Sequence, residues 1–185
     1  MTNACSVSLR TSVGDITIIW ITEEHIPKVL RIQLPAEVQK TECEIFQRLS
    51  SDDSRLPAEI HSLCSHLKGL MDGHRMHFTL DSLDMSVCSP FQRQVLMSAW
   101  QIPRGKVMSY GRLAARIGSK KGARSVGTAL AKNPFPLIIP CHRVVRATGE
   151  LGGFGGGLKL KKTLLEMEKI AFDLQDKVLQ NYFLS

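Results

Sequence analysis

The sequence predicts two small domains: an α/β domain with a small sheet and a covering helix over residues 1–88, and a mainly α-helical domain over residues 89–185. The length of 185 residues allows two cores of roughly 100 residues each. β-branched runs early in the chain give way to helical patterns, and the charge changes sign. Residues 1–89 contain 8 Lys or Arg and 12 Asp or Glu, whereas residues 90–185 contain 16 and 5. The C-terminal half is therefore expected to face a polyanion, with a merely solvated basic face as the alternative, and the N-terminal half to act as a scaffold or cover.

The N-terminal half predicts a sheet followed by a helix. Asp15–Ile21 and Val29–Leu34 are mostly apolar, β-branched runs, which favours neighbouring strands. Pro57 suits a first helical turn, and apolar residues then recur at helical spacing until Gly73. These residues are Ile60, Leu63, Cys64, Leu67 and Leu70. The helix would cover one face of the sheet, and Phe78–Leu80 is a candidate further strand.

The C-terminal half begins with three predicted helices. Ser89-Pro90 offers an N-cap hydroxyl and a proline at the first helical position, and a turn is expected at residues 103–106. Ser109 would cap a short helix that ends at Gly118, and another would run from Ala123 to Lys132. Two short helices about a glycine turn are typical of a helix-turn-helix, although many helical hairpins bind nothing.

The second helix of this pair has features of a DNA-binding helix. Lys120, Lys121 and Arg124 lie at its start, where they would attract phosphates. The other residues are mostly small, which would let the helix backbone approach a duplex closely. They include Ala123, Ser125, Gly127, Thr128 and Ala129.

A glycine-rich stretch and a final helix follow. Six glycines between Gly149 and Gly157 surround Leu151 and Phe154, so this loop can fold over a flat ligand or leave a slot. A nucleotide phosphate loop is the competing interpretation, but no Gly-Lys-Ser/Thr follows. A last amphipathic helix is expected to continue past Ile170, while the tail through Phe183 either packs back or frays. Leu158, Lys161, Leu164, Leu165 and Glu168 mark this helix.

The segment Pro134–Val144 indicates a nucleophile. Prolines bracket an apolar run that leads to Cys141, which His142 and Arg143 follow directly. Cationic neighbours lower a thiol pKa, and the thiolate is the reactive form. The alternative is a buried structural cysteine at a strand end, since free cysteine is among the most buried residue types.

The other cysteines suggest neither disulfides nor zinc. Cys5, Cys43, Cys64, Cys88 and Cys141 are scattered and form no C-x-x-C pair. No apolar run approaches the roughly 20 residues of a membrane helix, and the N-terminus lacks a leader pattern. We therefore expect a cytoplasmic protein (nuclear if the source is eukaryotic) that does not enter a membrane.

Taken together, the C-terminal motifs resemble those of the O6-alkylguanine-DNA alkyltransferases. The match runs through about residues 90–170 in order and spacing, and the Pro-Cys-His-Arg-Val core is highly specific. The motifs are Val107–Ala114, Arg124–Gly127, Asn133-Pro134, Pro140–Val144 and Gly156–Leu158. The resemblance implies a ribonuclease-H-like N-terminal domain and a winged helix-turn-helix-like DNA-binding motif in the C-terminal domain.

The resemblance also implies a reaction. The alkyl group of O6-alkylguanine, or less readily of O4-alkylthymine, would pass irreversibly to Cys141, so that the protein is consumed. His142, backed by Glu168, would deprotonate the thiol through a water, and no cofactor or metal would be needed. Asn133 is counted with the catalytic residues, although an Asx-type turn that holds the cysteine segment is the simpler interpretation. Adjacent extended residues point to opposite sides, which argues against a direct bond between Cys141 and His142.

By the same resemblance, the partner is double-stranded DNA that carries an alkylated guanine, bound by a monomer through the minor groove. The damaged base would be flipped out, Arg124 would fill the stack, and Tyr110 would crowd the phosphate and donate to the departing base. Taken alone, Tyr110 suits packing and Arg124 a phosphate contact. The other expected DNA contacts are Gly111, Ser119, Ala123 and Gly127, and the expected pocket walls are Val144, Phe154, Gly155 and Gly156.

One departure from the family concerns metal. Some members hold a structural zinc in the N-terminal domain, whereas this sequence offers Cys5 and His25 without a second nearby cysteine. We therefore expect no zinc. The remaining histidines would lie on the surface or on a helix, and they are His61, His66, His74 and His77.

Three rival functions remain open. A lesion-sensing alkyltransferase-like protein would lack the cysteine. A cysteine hydrolase that uses Cys141 and His142 would turn over repeatedly and gives no reason for the basic half. A DNA-binding regulator would bind one sequence and be indifferent to mutation of Cys141.

Overall fold

The computed structural model describes residues 4–35, 56–119 and 122–184. Residues 47–49 are described by their backbone alone. Cys43, Lys120 and Lys121 lie outside the described residues. The chain divides into two compact units, Met1–Val87 with Pro134–Ile138, and Cys88–Asn133 with Ile139–Ser185. The first unit combines a sheet with a helix, and the second is mainly helical.

The sheet of the first unit has the strand order β3-β2-β1-β4. Its strands are β1 (Cys5–Thr11), β2 (Gly14–Glu23), β3 (Ile26–Gln33) and β4 (Gln47–Leu49). β1 pairs antiparallel with β2, and β2 with β3, whereas β4 runs parallel to β1. The predicted strands at 15–21 and 29–34 are confirmed within β2 and β3, and β1 was not predicted.

A period-two pattern explains β1. Val7 and Leu9 are fully buried, and Ser8 between them pairs its hydroxyl with Thr17 on β2 at 3.0 Å. Side chains that alternate in this way place one face of the strand in the core. The pattern is short, but it would have sufficed to predict the strand.

Helix α1 (Ala58–Met71) contacts β1. Its apolar stripe includes the buried residues Ile60, Leu63 and Leu67, and Gly73 follows the helix with a φ of +85°. The predicted covering helix is therefore confirmed.

The predicted strand at Phe78–Leu80 is wrong. The backbone of β3 instead bonds to residues farther along the chain, where Val29 accepts from Asp84 N and donates to Ser82 O. Leu83 consequently forms an isolated parallel bridge with Val29. Phe78 packs edge-on against His66 with ring centroids 6.0 Å apart.

In the second unit, three helices pack together: α2 (Pro90–Trp100), α3 (Tyr110–Arg116) and α4 (Gly122–Ala131). Two of their starts are capped as predicted, because Ser89 Oγ accepts from Gln92 N and Ser109 Oγ from Arg112 N. The turn that was expected at 103–106 closes through Lys106 N and Pro103 O at 3.2 Å.

Two short parallel strands and a last helix complete this unit. Strand β5 (Met108–Ser109) pairs with β6 (Val144–Val145), which directly follows the cysteine segment. Helix α5 (Gly157–Met167) ends earlier than predicted, with Glu168 as its C-cap. The helix does not continue past Ile170, because Lys169 has a φ of +65° and leaves the helical region.

The C-terminal tail packs back onto the second unit. Val107 N donates to Tyr182 O at 3.0 Å, and Leu184 N donates to Val107 O at 2.9 Å. Phe183, Tyr182 and Phe172 pack against a buried cluster that contains Val107 and Leu165. None of the helices in the described ranges is long and apolar enough to span a bilayer.

Candidate active site

Cys141 opens a single 3₁₀ turn, Cys141–Arg143, between Pro140 and β6. Arg143 N donates to Pro140 O at 2.9 Å, which closes the turn, and Cys141 is 7% exposed. The expectation of an extended backbone at Cys141 and His142 is therefore wrong. The two side chains nevertheless bond to different partners.

Asn133 contacts the sulfur of Cys141. Its Nδ2 atom donates to Cys141 Sγ at 3.2 Å and to Ile139 O at 3.1 Å. These bonds tie the Asn133 amide to the cysteine segment, and they also bring an N–H donor to the sulfur of Cys141. A donor at this distance stabilises negative charge on sulfur.

His142 bonds to Glu168 in a nearly closed environment. The Nε2 atom of His142 lies 3.0 Å from Oε1 of Glu168, and both side chains are 3% exposed. The sequence predicted Glu168 on the final helix, and the structure places it at the C-cap of α5, where the chain turns back towards the Cys141 turn.

Glu168 is held as a carboxylate by donors from three residues, His142, Arg143 and Gly105. Arg143 reaches both of its oxygens with Nε at 3.0 Å and one with Nη2 at 2.8 Å, and Gly105 N donates to Oε2 at 3.1 Å. Burial opposes ionisation of Glu168, but the hydrogen bonds from His142 and Arg143 and the positive charge of Arg143 outweigh burial and lower its pKa to about 2.

Burial sets the protonation state of His142, and the Glu168 carboxylate sets which ring nitrogen carries the proton. Burial lowers the pKa of His142 below 6.5, aided by the charges of Arg143 and Lys161 and opposed by Glu168. The imidazole is therefore neutral at neutral pH, and Nε2 carries the proton that Glu168 accepts. Nδ1 is then the basic atom, and it is buried without a hydrogen-bond partner among the described residues.

Of the two residues expected as cationic neighbours of the thiol, one pairs with a carboxylate and the other is uncharged. Arg143 is engaged by Glu168, and its Nη1 atom donates to Ile102 O at 2.6 Å. His142 is neutral for the reasons above. The adjacent histidine thus supplies a base rather than a positive charge.

Tyr110 lies against the glycine-rich loop, which we define as Gly149–Gly157. A Cβ atom built on Gly152, whose φ is +67°, would lie 2.8 Å from the Tyr110 hydroxyl oxygen, and one on Gly127 would lie 3.8 Å from its ring. Burial raises the pKa of Tyr110, and the negative charge of Cys141 raises it further. The positive charge of Arg146 lowers the pKa of Tyr110 by a smaller amount. Tyr110 therefore remains a protonated donor near the cysteine.

The residues expected to line a pocket lie next to the cysteine turn or in the glycine-rich loop. Val144 is fully buried, and Phe154 packs edge-on against His142 with ring centroids 6.4 Å apart. Gly155 and Gly156 lie in the loop just before α5. The structure thus brings Asn133, Phe154 and the His142–Glu168 pair to the cysteine turn.

The expected DNA contacts lie on α3, α4 and their connection. Gly111, Ala123 and Arg124 are exposed, whereas Ser119 and Gly127 are half-buried. Among the described residues the hydroxyl of Ser119 is buried and has no hydrogen-bond partner. Arg124 is an exposed cation in the first turn of α4.

Sequence reasoning missed Lys161 as a site residue. Its side chain is fully buried, and its Nζ atom donates to backbone carbonyls near the cysteine. The signal was present, because Lys161 falls on the apolar stripe of the last helix together with Leu164 and Leu165.

No three His, Cys, Asp or Glu side chains converge on one point in the described part of the chain. Cys5 lies on β1, and His25 is exposed in the turn after β2. The histidines expected on the surface or on a helix are indeed exposed or half-buried: His61, His66, His74 and His77.

Comparisons with known proteins point to one family. Residues 90–170 match the family described as 6-O-methylguanine DNA methyltransferase, DNA binding domain. The chain is 46% identical over 125 residues to the Methylated-DNA--protein-cysteine methyltransferase of Methanothermobacter thermautotrophicus, which covers 68% of this chain and 70% of that relative. It is 38% identical over 128 residues to the protein of the same name from Saccharolobus islandicus. That match covers 69% of this chain and 79% of the relative.

Solved structures are similar over most of the chain. A Mycobacterium tuberculosis OGT in complex with DNA has a TM-score of 0.70 at 28% identity and covers 89% of this chain and 92% of its own. The O6-methylguanine-DNA methyltransferase of Pyrococcus kodakaraensis has a TM-score of 0.61 at 25% identity. The match covers 89% of this chain and 99% of that protein.

Proposed function

Because the chain belongs to the Methylated-DNA--protein-cysteine methyltransferase family, we propose that it repairs DNA by moving the alkyl group of O6-alkylguanine, and less readily of O4-alkylthymine, onto Cys141. The observation that carries this proposal is the arrangement around the sulfur. Cys141 accepts a hydrogen bond from Asn133, and the next residue is a neutral histidine held by a buried carboxylate.

The first step is deprotonation of the thiol. Glu168 accepts from Nε2 of His142 and leaves Nδ1 as the base, so a bridging water can carry the Cys141 proton to Nδ1. The arrangement follows the base-and-orienting-carboxylate logic of activated nucleophiles, with the water as an added link. Asn133 then stabilises the thiolate through Nδ2.

The second step is displacement at the alkyl carbon. A sulfur lone pair of Cys141 forms the S–C bond while the C–O6 bond breaks, and the departing base takes a proton from Tyr110. The protein then carries a thioether, which is a stable end product, so each molecule reacts once. Neither step requires a metal or an organic cofactor, since positioning and proton transfer suffice.

DNA is the partner, and we assign its docking to α3 and α4. A guanine inside a duplex is unreachable, so the base must be flipped out at a cost of a few kcal/mol. The exposed Arg124 would enter the stack in its place, and a minor-groove approach suits a repair protein that must accept any sequence. The backbone of Gly111, Ala123 and Gly127 would lie close to the strand, with Ser119 between the helices.

The finer fold assignment belongs to the same proposal. Residues 1–88 would form a ribonuclease-H-like scaffold domain, which the order β3-β2-β1-β4 with β4 parallel to β1 supports. Residues 89–185 would form the DNA-binding and alkyl-acceptor domain, with α3 and α4 as a winged helix-turn-helix. We propose that it acts as a monomer.

The test is stoichiometry. The protein is mixed with a tenfold excess of duplex that carries one O6-methylguanine, and repaired guanine is counted against protein, beside an undamaged duplex. One methyl group per protein molecule, followed by no further reaction, is the expected result. Repeated turnover on an ester substrate offered in parallel would favour a cysteine hydrolase, and tight lesion binding without transfer would favour a lesion-sensing protein. Binding to one DNA sequence regardless of damage would favour a regulator.

A further inference from the structure

Lys161 is a fully buried lysine on α5. Its Nζ atom donates to Val144 O at 2.7 Å, to Leu151 O at 2.5 Å and to Gly153 O at 3.3 Å. An ammonium has three N–H donors and no acceptor, so all three of its donors are bonded to these carbonyls.

The three carbonyls belong to two different segments. Val144 begins β6 immediately after the Cys141 turn, whereas Leu151 and Gly153 lie in the glycine-rich loop. A loop of glycines has little side-chain packing to fix it. Lys161 therefore ties this loop to the backbone that carries the nucleophile.

Tyr110 is linked to the same group. Lys161 Nζ lies 5.8 Å from the centroid of the Tyr110 ring, within the range of a cation–π contact. The Tyr110 hydroxyl donates to Gly153 O at 3.5 Å, so one carbonyl accepts from both side chains. Movement of Lys161 would release the Gly153 carbonyl that also holds the tyrosine.

The ammonium form persists at neutral pH. Burial lowers the pKa of Lys161 to about 8, and the negative charge of a Cys141 thiolate opposes this shift. All three donors are therefore present when the reaction would run. An apolar side chain of the same length would leave three carbonyls without this donor.

We propose that Lys161 is a positioning residue for alkyl transfer: its ammonium fastens the glycine-rich loop to β6 and so sets where the loop and Tyr110 stand relative to Cys141. This inference rests on the proposed function. It does not make Lys161 a catalytic residue, because all of its donors are given to protein carbonyls.

The test compares Lys161→Met with Lys162→Met, which makes the same change on the next residue of α5. Lys162 is partly exposed and pairs with Asp176 and Glu166, away from the loop carbonyls. Three quantities are measured: the single-turnover transfer rate at saturating O6-methylguanine duplex, the dissociation constant for that duplex, and amide hydrogen exchange in residues 146–157.

For Lys161→Met, we expect transfer to slow by roughly 10- to 100-fold, as a misplacement of about 1 Å can cause. The dissociation constant should stay unchanged, loop exchange should accelerate, and exchange in α3 and α4 should not. Lys162→Met should match the wild type. The Tyr110 contact predicts that the loss lies in the rate and not in affinity, which general destabilisation would not produce.

A transfer rate equal to that of the wild type would overturn the proposal, and so would a slower rate with unchanged loop exchange. If Lys161→Met does not fold, the same measurements are made on Lys161→Gln, whose side-chain amide keeps two N–H donors. Failure of both variants to fold would also overturn the proposal, because it would assign Lys161 to the fold itself. Failure of the wild type to react would instead reject the proposed function.

Discussion

The Nε2 atom of His142 lies 3.0 Å from Oε1 of Glu168, with both side chains almost fully excluded from solvent. Arg143 and Gly105 donate to the same carboxylate. This bond decides which imidazole nitrogen is basic, because the proton stays on the atom that faces the carboxylate. The chemistry proposed for Cys141 depends on that choice.

Glu168→Gln tests this bond. An amide cannot hold the tautomer or pair with Arg143, so the single-turnover transfer rate should fall by roughly 100-fold, the scale of general-base catalysis. The free energy of unfolding should fall by about 3 kcal/mol, because Arg143 is left without its buried partner. The matched control is Glu166→Gln, whose side chain is 52% exposed and lies 4.0 Å from Lys162. Equal rates for the two variants would contradict the role of Glu168.

Acid should destabilise the protein through the same pair. The pKa of Glu168 falls from 4.5 to about 2 on folding, so the unfolded chain takes up this proton first as the pH falls. Stability from Glu168 is thus complete above pH 4.5 and is lost towards pH 2, about 3 kcal/mol in all. The pKa of His142 is also lowered, so a further loss begins below pH 6.5.

The measurement is urea unfolding of the wild type and Glu168→Gln over this range. The difference between their unfolding free energies should shrink as the pH drops below 4.5. A difference that stays constant down to pH 3 would show that Glu168 does not have a lowered pKa.

Gly152→Ala should disturb Tyr110. The new Cβ would lie 2.8 Å from the tyrosine hydroxyl oxygen, at a φ of +67° that alanine adopts with strain. We expect a loss of about 1 to 2 kcal/mol in the free energy of unfolding and transfer slowed by roughly tenfold as Tyr110 moves. Gly153→Ala is the control, since nothing lies within 4 Å of its Cβ and its φ is ordinary. Similar losses from both substitutions would count against the Tyr110 contact.

Arg124→Ala tests base flipping. If Arg124 fills the stack, its loss should slow transfer from a duplex by roughly tenfold, since flipping costs a few kcal/mol, and should spare transfer from a single-stranded oligonucleotide. Arg116→Ala removes the same charge from α3, where Arg116 donates to Gln101 at 2.9 Å, and serves as control. If Arg124→Ala slowed transfer equally on single-stranded and double-stranded DNA, Arg124 would be a phosphate contact and not the residue that fills the stack.

Local patterns predicted most of the fold and the centre of the site. The caps at Ser89 and Ser109 and the stripe of α1 are visible within one or two turns of chain, and each formed as expected. The end of α5 was missed, because the left-handed backbone of Lys169 is not marked by a glycine. The strand at Phe78–Leu80 was wrong because β3 pairs near Leu83, a choice made by tertiary contacts.

The partners of the site residues were harder to predict. Cys141 and His142 are adjacent in sequence, whereas Glu168 lies 26 residues away and was found only through the family resemblance. Lys161 was missed because a lysine on an amphipathic helix is usually solvated. Arg143 was expected beside the thiol because it lies two residues after Cys141. Its guanidinium instead pairs with the buried carboxylate of Glu168, since charge-assisted hydrogen bonds to a carboxylate are strong.

The most direct test is the intact mass of the protein after one equivalent of O6-methylguanine duplex, followed by peptide mapping. Two variants run beside the wild type: Cys141→Ser, and Cys64→Ser, whose thiol has a pKa that burial raises to about 11. We predict a gain of about 14 Da in the wild type and in Cys64→Ser, located on Cys141, and none in Cys141→Ser. A gain of mass in Cys141→Ser, or none in the wild type despite lesion binding, would contradict alkyl transfer to Cys141.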